Sequence, residues 1–245
     1  IFWKDLYPDI SLIKKMMRLG FPSSIEQSTR ALGMIAMTFL VASFDTLTIA
    51  AYGIGSRILS FVIIPALGLS MATSTLVGQN MGAGKIQRAK SIVQMSSWVG
   101  FIGLSLIGLL FFIFAQQISS IFIPDETETI VMSASFLKIM SLTYGFIGLQ
   151  MAINGSFRGS GNTFISMMLA IISMWVLRFP LAYLLSNTNL GQIGIWIAFP
   201  VSNIIAGIIA MIWYVKGDWA TKVLTEEIKL TTEATKEALI QEGSD

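Results

Sequence analysis

The chain has 245 residues, of which 54% are hydrophobic and 12% charged; 16 Lys and Arg against 14 Asp and Glu give a net charge of +2. Its mean hydropathy is +0.72. A soluble domain carries about 25% charged residues, so half the usual surface chemistry is missing and lipid is the expected solvent. Cys and His are both absent, which excludes a disulfide framework, a thiolate or His metal site, a His general acid and a Ser–His pair. No enzyme, no metal, no cofactor and no nucleic-acid partner is expected.

The N-terminal segment begins at Ile1 with no basic, short apolar, small-residue signal pattern before the first apolar stretch. A fragment, or one half of a larger protein, is therefore expected. Residues 1–20 read as a cytoplasmic linker. Within it Asp9–Gly20 suggests a helix lying in the membrane interface, with Ile10, Ile13 and Met17 on one face and Lys14, Lys15 and Arg18 around the rest.

Six apolar stretches follow, at about 21–44, 48–77, 92–115, 130–157, 164–185 and 193–215. Each reaches the ~20 residues that a membrane-spanning helix requires. They are apolar nearly all round, unlike the one-sided helices of a soluble core. The breaks carry turn chemistry, as at Gly82-Ala83-Gly84, Pro124-Asp125-Glu126, Gly159-Ser160-Gly161-Asn162 and Asn187-Thr188-Asn189. The predicted fold class is all-α: a polytopic six-transmembrane-helix bundle. Pro22 is expected to open the first span, and Pro65 and Pro200 to kink the second and sixth. Small residues at Gly68, Ala72 and Leu76, and at Ser202, Ala206 and Ala210, suggest seams of close helix packing.

The cations fall on one side only. Lys4, Lys14, Lys15 and Arg18 precede the first span; Lys85, Arg88 and Lys90 follow the second; Arg158 follows the fourth; Lys216, Lys222, Lys229 and Lys236 follow the sixth. The alternate connections, at 45–47, 124–129 and 187–192, contain none. The positive-inside rule then places both termini in the cytoplasm and makes the chain a multi-pass protein of the cell membrane. The polar tail, 216–245, pairs Lys222 with Glu226 and Lys229 with Glu233 at helical spacing, and Trp213, Tyr214 and Trp219 fit an interfacial aromatic belt.

Charge inside a span costs at least ~2.5–3.5 kcal/mol at the bilayer centre, so five residues call for a reason: Glu26, Arg30, Arg57, Lys138 and Arg178. Glu26 is the one acid well inside a span, and Arg30 lies one turn further on the same face. Two readings are open: a static pair that orients the first helix, or a cation-coupling site at which burial and Arg30 pull the carboxylate in opposite directions. Arg57, Lys138 and Arg178 have no acid in their own spans, which suggests a water-filled cavity, snorkelling to an interface or bonds to backbone carbonyls; Arg178, also a substrate-cavity candidate, precedes Phe179-Pro180, where a broken hydrogen-bond ladder would leave carbonyls free. Gln150 and Asn154, one turn apart, with Tyr144 nearby, suggest either interhelical glue or a polar strip lining a substrate cavity; Gln27 beside Glu26 joins these cavity candidates. Met34, Met37, Met140 and Met151 would suit an adaptable apolar wall.

The string Val77-Gly78-Gln79-Asn80-Met81-Gly82-Ala83-Gly84, with Arg88-Ala89 after it, resembles a cytoplasmic loop in the C-terminal half of the multidrug and toxic compound extrusion (MATE) family. Gly20-Phe21-Pro22, Phe157-Arg158-Gly159-Ser160-Gly161-Asn162-Thr163, Arg178-Phe179-Pro180 and Gly194-Ile195-Trp196-Ile197-Ala198 fall in that family's order. The resemblance covers residues 10 to about 215. It implies one six-helix lobe of a twelve-helix transporter, with an N-terminal six-helix lobe as its partner. It further implies a small organic substrate, often cationic, held between the lobes and exported in exchange for H⁺ or Na⁺ as coupling ion. The acid that some branches carry two turns after the opening proline has no counterpart, because that position is Arg30. Gly78, Gln79, Asn80, Gly82, Gly84, Arg158, Gly159 and Gly161 are expected to shape cytoplasmic hinges. Two alternatives stand beside the exporter: a flippase for a lipid or lipid-linked precursor, which Arg30, Arg57, Lys138 and Arg178 would serve, and a non-transporting scaffold or orphan half-transporter.

Overall fold

A computed structural model describes residues 10–124, 126–217 and 219. The tail pairs Lys222–Glu226 and Lys229–Glu233, and residues Lys4, Asp9 and Asp125, lie outside the described residues. The described chain is helical in this order: α1 (Ile10–Val41), α2 (Thr46–Gly82), α3 (Ile86–Ile113), α4 (Ala115–Phe122), α5 (Thr127–Ser141), α6 (Tyr144–Gly159), α7 (Thr163–Ile171), a π-helical segment (Ile172–Arg178), α8 (Phe179–Ser186) and α9 (Gln192–Lys216). Four helical stretches are long and apolar enough to cross a membrane: α2, α3, the continuous run Thr163–Ser186, and α9. The α5–α6 pair, bent by 52° at its break, reaches the same length and apolarity only when its two helices are counted as one span. The expected first span is not among them, because α1 carries Glu26, Gln27 and Arg30 along its middle turns.

Three expectations are corrected here. Pro22 does not open the first helix, since α1 runs unbroken from Ile10 through that proline. A missing proline N–H frees only one carbonyl, and the exposed first turns of α1 tolerate that. The fourth span is not one rod but α5 and α6. The break falls at Leu142 and Thr143, where no Gly or Pro announces it; Ser141 Oγ donates to the Lys138 carbonyl at 2.8 Å and Thr143 Oγ1 to the Met140 carbonyl at 3.1 Å. Those hydroxyls satisfy backbone groups that the lost helical bonds release. In the fifth span the fault expected near Pro180 is a seven-residue widening just upstream, Ile172–Arg178. Pro180 cannot donate to the carbonyl four residues back, and a π register absorbs the mismatch.

The centre of the bundle is α6, which packs against α2, α3 and α9 and is buried along almost its whole length. Lipid tails are as apolar as leucine, so close packing rather than water exclusion holds such helices together. Glycines make that packing here. A Cβ on Gly100 of α3 would lie 2.8 Å from the Gly148 carbonyl of α6, and one on Gly148 would strike the Gly100 carbonyl in return. Gly155 and Gly159 meet the carbonyls of Ser70 and Ser74 on α2 in the same way. The expected α2 seam at Gly68, Ala72 and Leu76 is displaced: these three are exposed, and Ser70, Thr73 and Val77 form the buried stripe. Ser202, Ala206 and Ala210 do face inward on α9. Met37, Met140 and Met151 are core residues and only Met34 is exposed. An aromatic cluster closes the other end of the core. Phe136 meets Trp196 edge-on at 4.7 Å, and Tyr52 lies parallel to Trp196 at 6.1 Å. Trp219, expected in an interfacial belt, is buried against Tyr214.

Candidate functional site

The buried stripe of α1 is Glu26, Thr29, Gly33, Met37 and Val41, spaced at the 3.6-residue helical period. It lies against α7 and the π segment. Gly33 leaves the space that Met174 fills, and Trp175 Nε1 donates to the Thr29 carbonyl at 3.3 Å. The first residue of this stripe is a carboxylate, and it is 1% exposed.

Both oxygens of Glu26 are occupied. Arg30, one turn away on α1, donates from a terminal nitrogen to Oε1 at 3.1 Å. Arg158, near the C-terminus of α6, donates to Oε1 at 2.6 Å and through Nε to Oε2 at 3.3 Å. This two-point grip is the geometry a planar guanidinium offers a carboxylate. The arginine side chains stay 26% and 22% exposed, so the cluster is a buried anion under two partly wetted cations. An isolated buried charge is costly, and pairing is the condition for its presence.

Local backbone chemistry aims Arg158. After α6 the chain turns on Gly161, whose φ of +78° only glycine adopts readily. The Asn162 N–H donates to the Phe157 carbonyl at 2.8 Å and the Gly161 N–H to the Arg158 carbonyl at 3.1 Å. These two bonds form a Schellman closure. The same closure recurs after α2, where Gly84 has φ +70°, Lys85 N–H donates to Asn80 and Gly84 N–H to Met81.

The expected hinge residues therefore divide. Gly84 and Gly161 are true turn positions. Gly78, Gln79, Asn80 and Gly82 are not loop residues but belong to α2. Gly78 is small because the Gly159 carbonyl passes it, at 3.3 Å from where a Cβ would stand. Arg158, expected only in a hinge, is the second partner of Glu26. The signal that would have found it is its place in the last turn of the helix preceding that turn.

The cavity candidates are spread apart. Tyr144, Gln150 and Asn154 are buried inside the lobe, and the Tyr144 hydroxyl, Gln150 Nε2 and both Asn154 amide atoms have no hydrogen-bond partner among the described residues. Gln27 is exposed. Arg178 bonds side chains rather than the carbonyls expected: Nε donates to Ser202 Oγ at 3.0 Å and a terminal nitrogen to Asn203 Oδ1 at 2.6 Å, with the guanidinium 4.8 Å from the Phe199 ring centre. Arg57 and Lys138 are exposed on α2 and α5. Among the described residues no group of three or more acids is placed to hold a metal ion.

A helical, membrane-grade bundle with an internal ion-pair cluster defines a class: integral membrane proteins built from packed spans around a few buried charges. The comparisons specify it further. The MatE family model matches residues 22–184, and the chain belongs to that family. Among curated relatives, Probable multidrug resistance protein YoeA of Bacillus subtilis is 28% identical over 90% of this chain and 48% of its own length. Probable multidrug resistance protein NorM of Mannheimia succiniciproducens is 30% identical over 82% of this chain and 44% of its own. The fold is that of the Vibrio cholerae MATE transporter VcmN, solved as a point mutant: TM-score 0.83, 24% identity, 90% of this chain and 50% of that one. The chain thus spans about half the length of the curated relatives it matches.

Proposed function

We propose that this chain is one lobe of a cation-coupled antiporter that exports organic, cationic or amphipathic compounds, and that Glu26 is its coupling carboxylate. The observation that carries the reading is the grip of Glu26 by two arginines from different helices. A H⁺ or Na⁺ arriving at Glu26 competes with Arg158 for the same oxygens. When that pair opens, α1 loses its ionic tie to the last turn of α6, and one lobe can change shape in response to an ion. Membership of the MatE family, and the names of the curated relatives, support export over a scaffold role. A flippase would need clustered cations for a phosphate, yet Arg30 is engaged by Glu26, Arg178 by Ser202 and Asn203, and Arg57 and Lys138 stand exposed on two other helices, α2 and α5. The partner is a complementary six-helix lobe, the medium is the cell membrane, and both ends of the chain lie on its cytoplasmic side.

The test is Glu26→Gln in the intact protein, reconstituted in vesicles, with efflux of a fluorescent organic cation driven separately by H⁺ and by Na⁺ gradients. Efflux driven by the coupling ion should fall to background. Unchanged efflux with unchanged ion dependence would refute the assignment.

A further inference from the structure

The end of the bundle that carries Arg158 is closed by a residue beyond the last helix. Gly217 ends α9 in an extended conformation, where a Cβ would strike the Trp213 carbonyl. The chain then returns, so that Trp219 stacks on Tyr214 at 5.4 Å and its indole N–H donates to the Tyr214 carbonyl at 3.2 Å. Trp219 is 3% exposed and shares an apolar cluster with Val77 and Met81 of α2, Ala89 and Val93 of α3 and Phe157 of α6. A polar tie completes the strap: Asn162 Nδ2 donates to the Trp219 carbonyl at 3.2 Å. Asn162 stands at the N-cap of α7, where an asparagine side chain ordinarily accepts from an amide of the first turn. It makes no such bond, and its amide group is turned to Trp219 instead. We propose that Trp219 is a positioning residue for the Glu26–Arg158 pair, holding the α6–α7 turn where the Arg158 guanidinium reaches the carboxylate.

The path from the strap to the ion pair is short. The Phe157 carbonyl accepts from the Asn162 N–H and the Arg158 carbonyl from the Gly161 N–H. The turn is thus bonded to Arg158 on one side and to Trp219 on the other. A glycine gives up more conformational freedom on folding than any other residue, so a turn built on Gly161 depends on outside contacts to keep its shape. The Arg158 bond to Glu26 Oε1 is 2.6 Å long. Such a bond is lost beyond about 3.5 Å, so a displacement of roughly 1 Å at the turn suffices to break the grip. An ion at Glu26 competes with Arg158 for the same oxygens. A looser Arg158 should therefore let the ion bind at lower concentration, whereas the loss of a merely structural plug would lower stability and leave that concentration where it was.

The positioning role stands on geometry, and its functional meaning rests on the coupling assignment of Glu26, so the test has two arms on the intact protein. The first is a double-mutant cycle of Trp219→Ala with Arg158→Gln, read as unfolding free energy in mild detergent. The pair should be destabilised by clearly less than the sum of the two, because Arg158 has less to lose once the strap is gone. Asn162→Ala, which removes a single tie and leaves the indole in place, should show the same shortfall with Arg158→Gln and serves if Trp219→Ala does not fold. The second arm is the H⁺ or Na⁺ concentration giving half-maximal efflux in vesicles. It should fall about tenfold in Trp219→Ala and Asn162→Ala, the scale of one hydrogen bond to a charged group, and stay near the parent value in Trp219→Phe, which keeps the ring and the backbone carbonyl. Losses of stability that simply add in both cycles would overturn the proposal. So would an unchanged half-maximal concentration in both variants when Glu26→Gln abolishes ion-driven efflux. If Glu26→Gln leaves efflux unchanged, the coupling assignment falls, and the stability cycles still decide whether Trp219 positions the pair.

Discussion

At the residue scale the informative feature is asymmetry around one carboxylate. Arg30 was legible as a partner of Glu26 because i,i+4 spacing on a helix needs no knowledge of the fold. Arg158 was not, since it lies 132 positions away and only the packing of α1 beside the α6–α7 turn brings the two together. The long-range bond is the shorter and the bidentate one, so its loss should hurt more. Arg158→Ala, which leaves the buried carboxylate to Arg30 alone, should cost about 3 kcal/mol of stability, while Arg30→Ala, which keeps the two-point grip, should cost clearly less. Denaturant titration of the two variants in mild detergent checks the order; equal losses would contradict it. Arg158→Lys should recover only part, because an ammonium has no fork. Gly161→Ala should cost about 1–2 kcal/mol from its left-handed backbone alone.

At the scale of elements, apolar length and turn chemistry placed the helices, and backbone irregularities were what they missed. A uniform apolar run contains no mark of where a helix breaks when the break is stabilised from outside. The α5–α6 bend rests on the Ser141 and Thr143 hydroxyls and on Gly108 of α3, which leaves room for the Ser141 carbonyl. The short helix α4 begins where the third span was expected to end, at about 115, and went unread for the same reason: Phe114 and Ala115 carry no turn signal. Pro180, by contrast, announced the π segment within a few residues. Glycine seams should govern how these elements meet. Gly148→Ala pushes α6 off α3 and should cost about 1–3 kcal/mol, measured by thermal unfolding in detergent. Gly68→Ala, facing open space, should cost little. Comparable losses at both positions would show that the seam has been misplaced.

At the scale of the molecule, the arrangement of charge along the chain carries the membrane reading. Among residues 45–47, 124–129 and 187–192 there is no cation, and the alternate connections hold Lys85, Arg88, Lys90 and Arg158. The chain has no Cys, so a single cysteine introduced into it is this segment's one labelling site, read against the intact protein without that substitution. Lys85→Cys and Asn189→Cys are both at exposed positions, and a membrane-impermeant maleimide applied to intact cells should label Asn189→Cys alone. Labelling of both, or of Lys85→Cys alone, would invert or abolish the orientation. Half-length coverage of the relatives fits a lobe that presents α1 along its edge, attached through α7, the π segment and the Glu26–Arg158 tie.

If Glu26 couples ion binding to export, it does so as one unit with Arg158. The measurement that decides this is a double-mutant cycle on the intact protein, with Glu26→Gln, Arg158→Gln and the pair combined, read as unfolding free energy in mild detergent beside gradient-driven efflux in vesicles. Arg158→Gln alone should lose ion-driven efflux as Glu26→Gln does, and the pair should be destabilised by clearly less than the sum of the two. Ion-driven efflux unchanged in Arg158→Gln, or losses of stability that simply add, would speak against it.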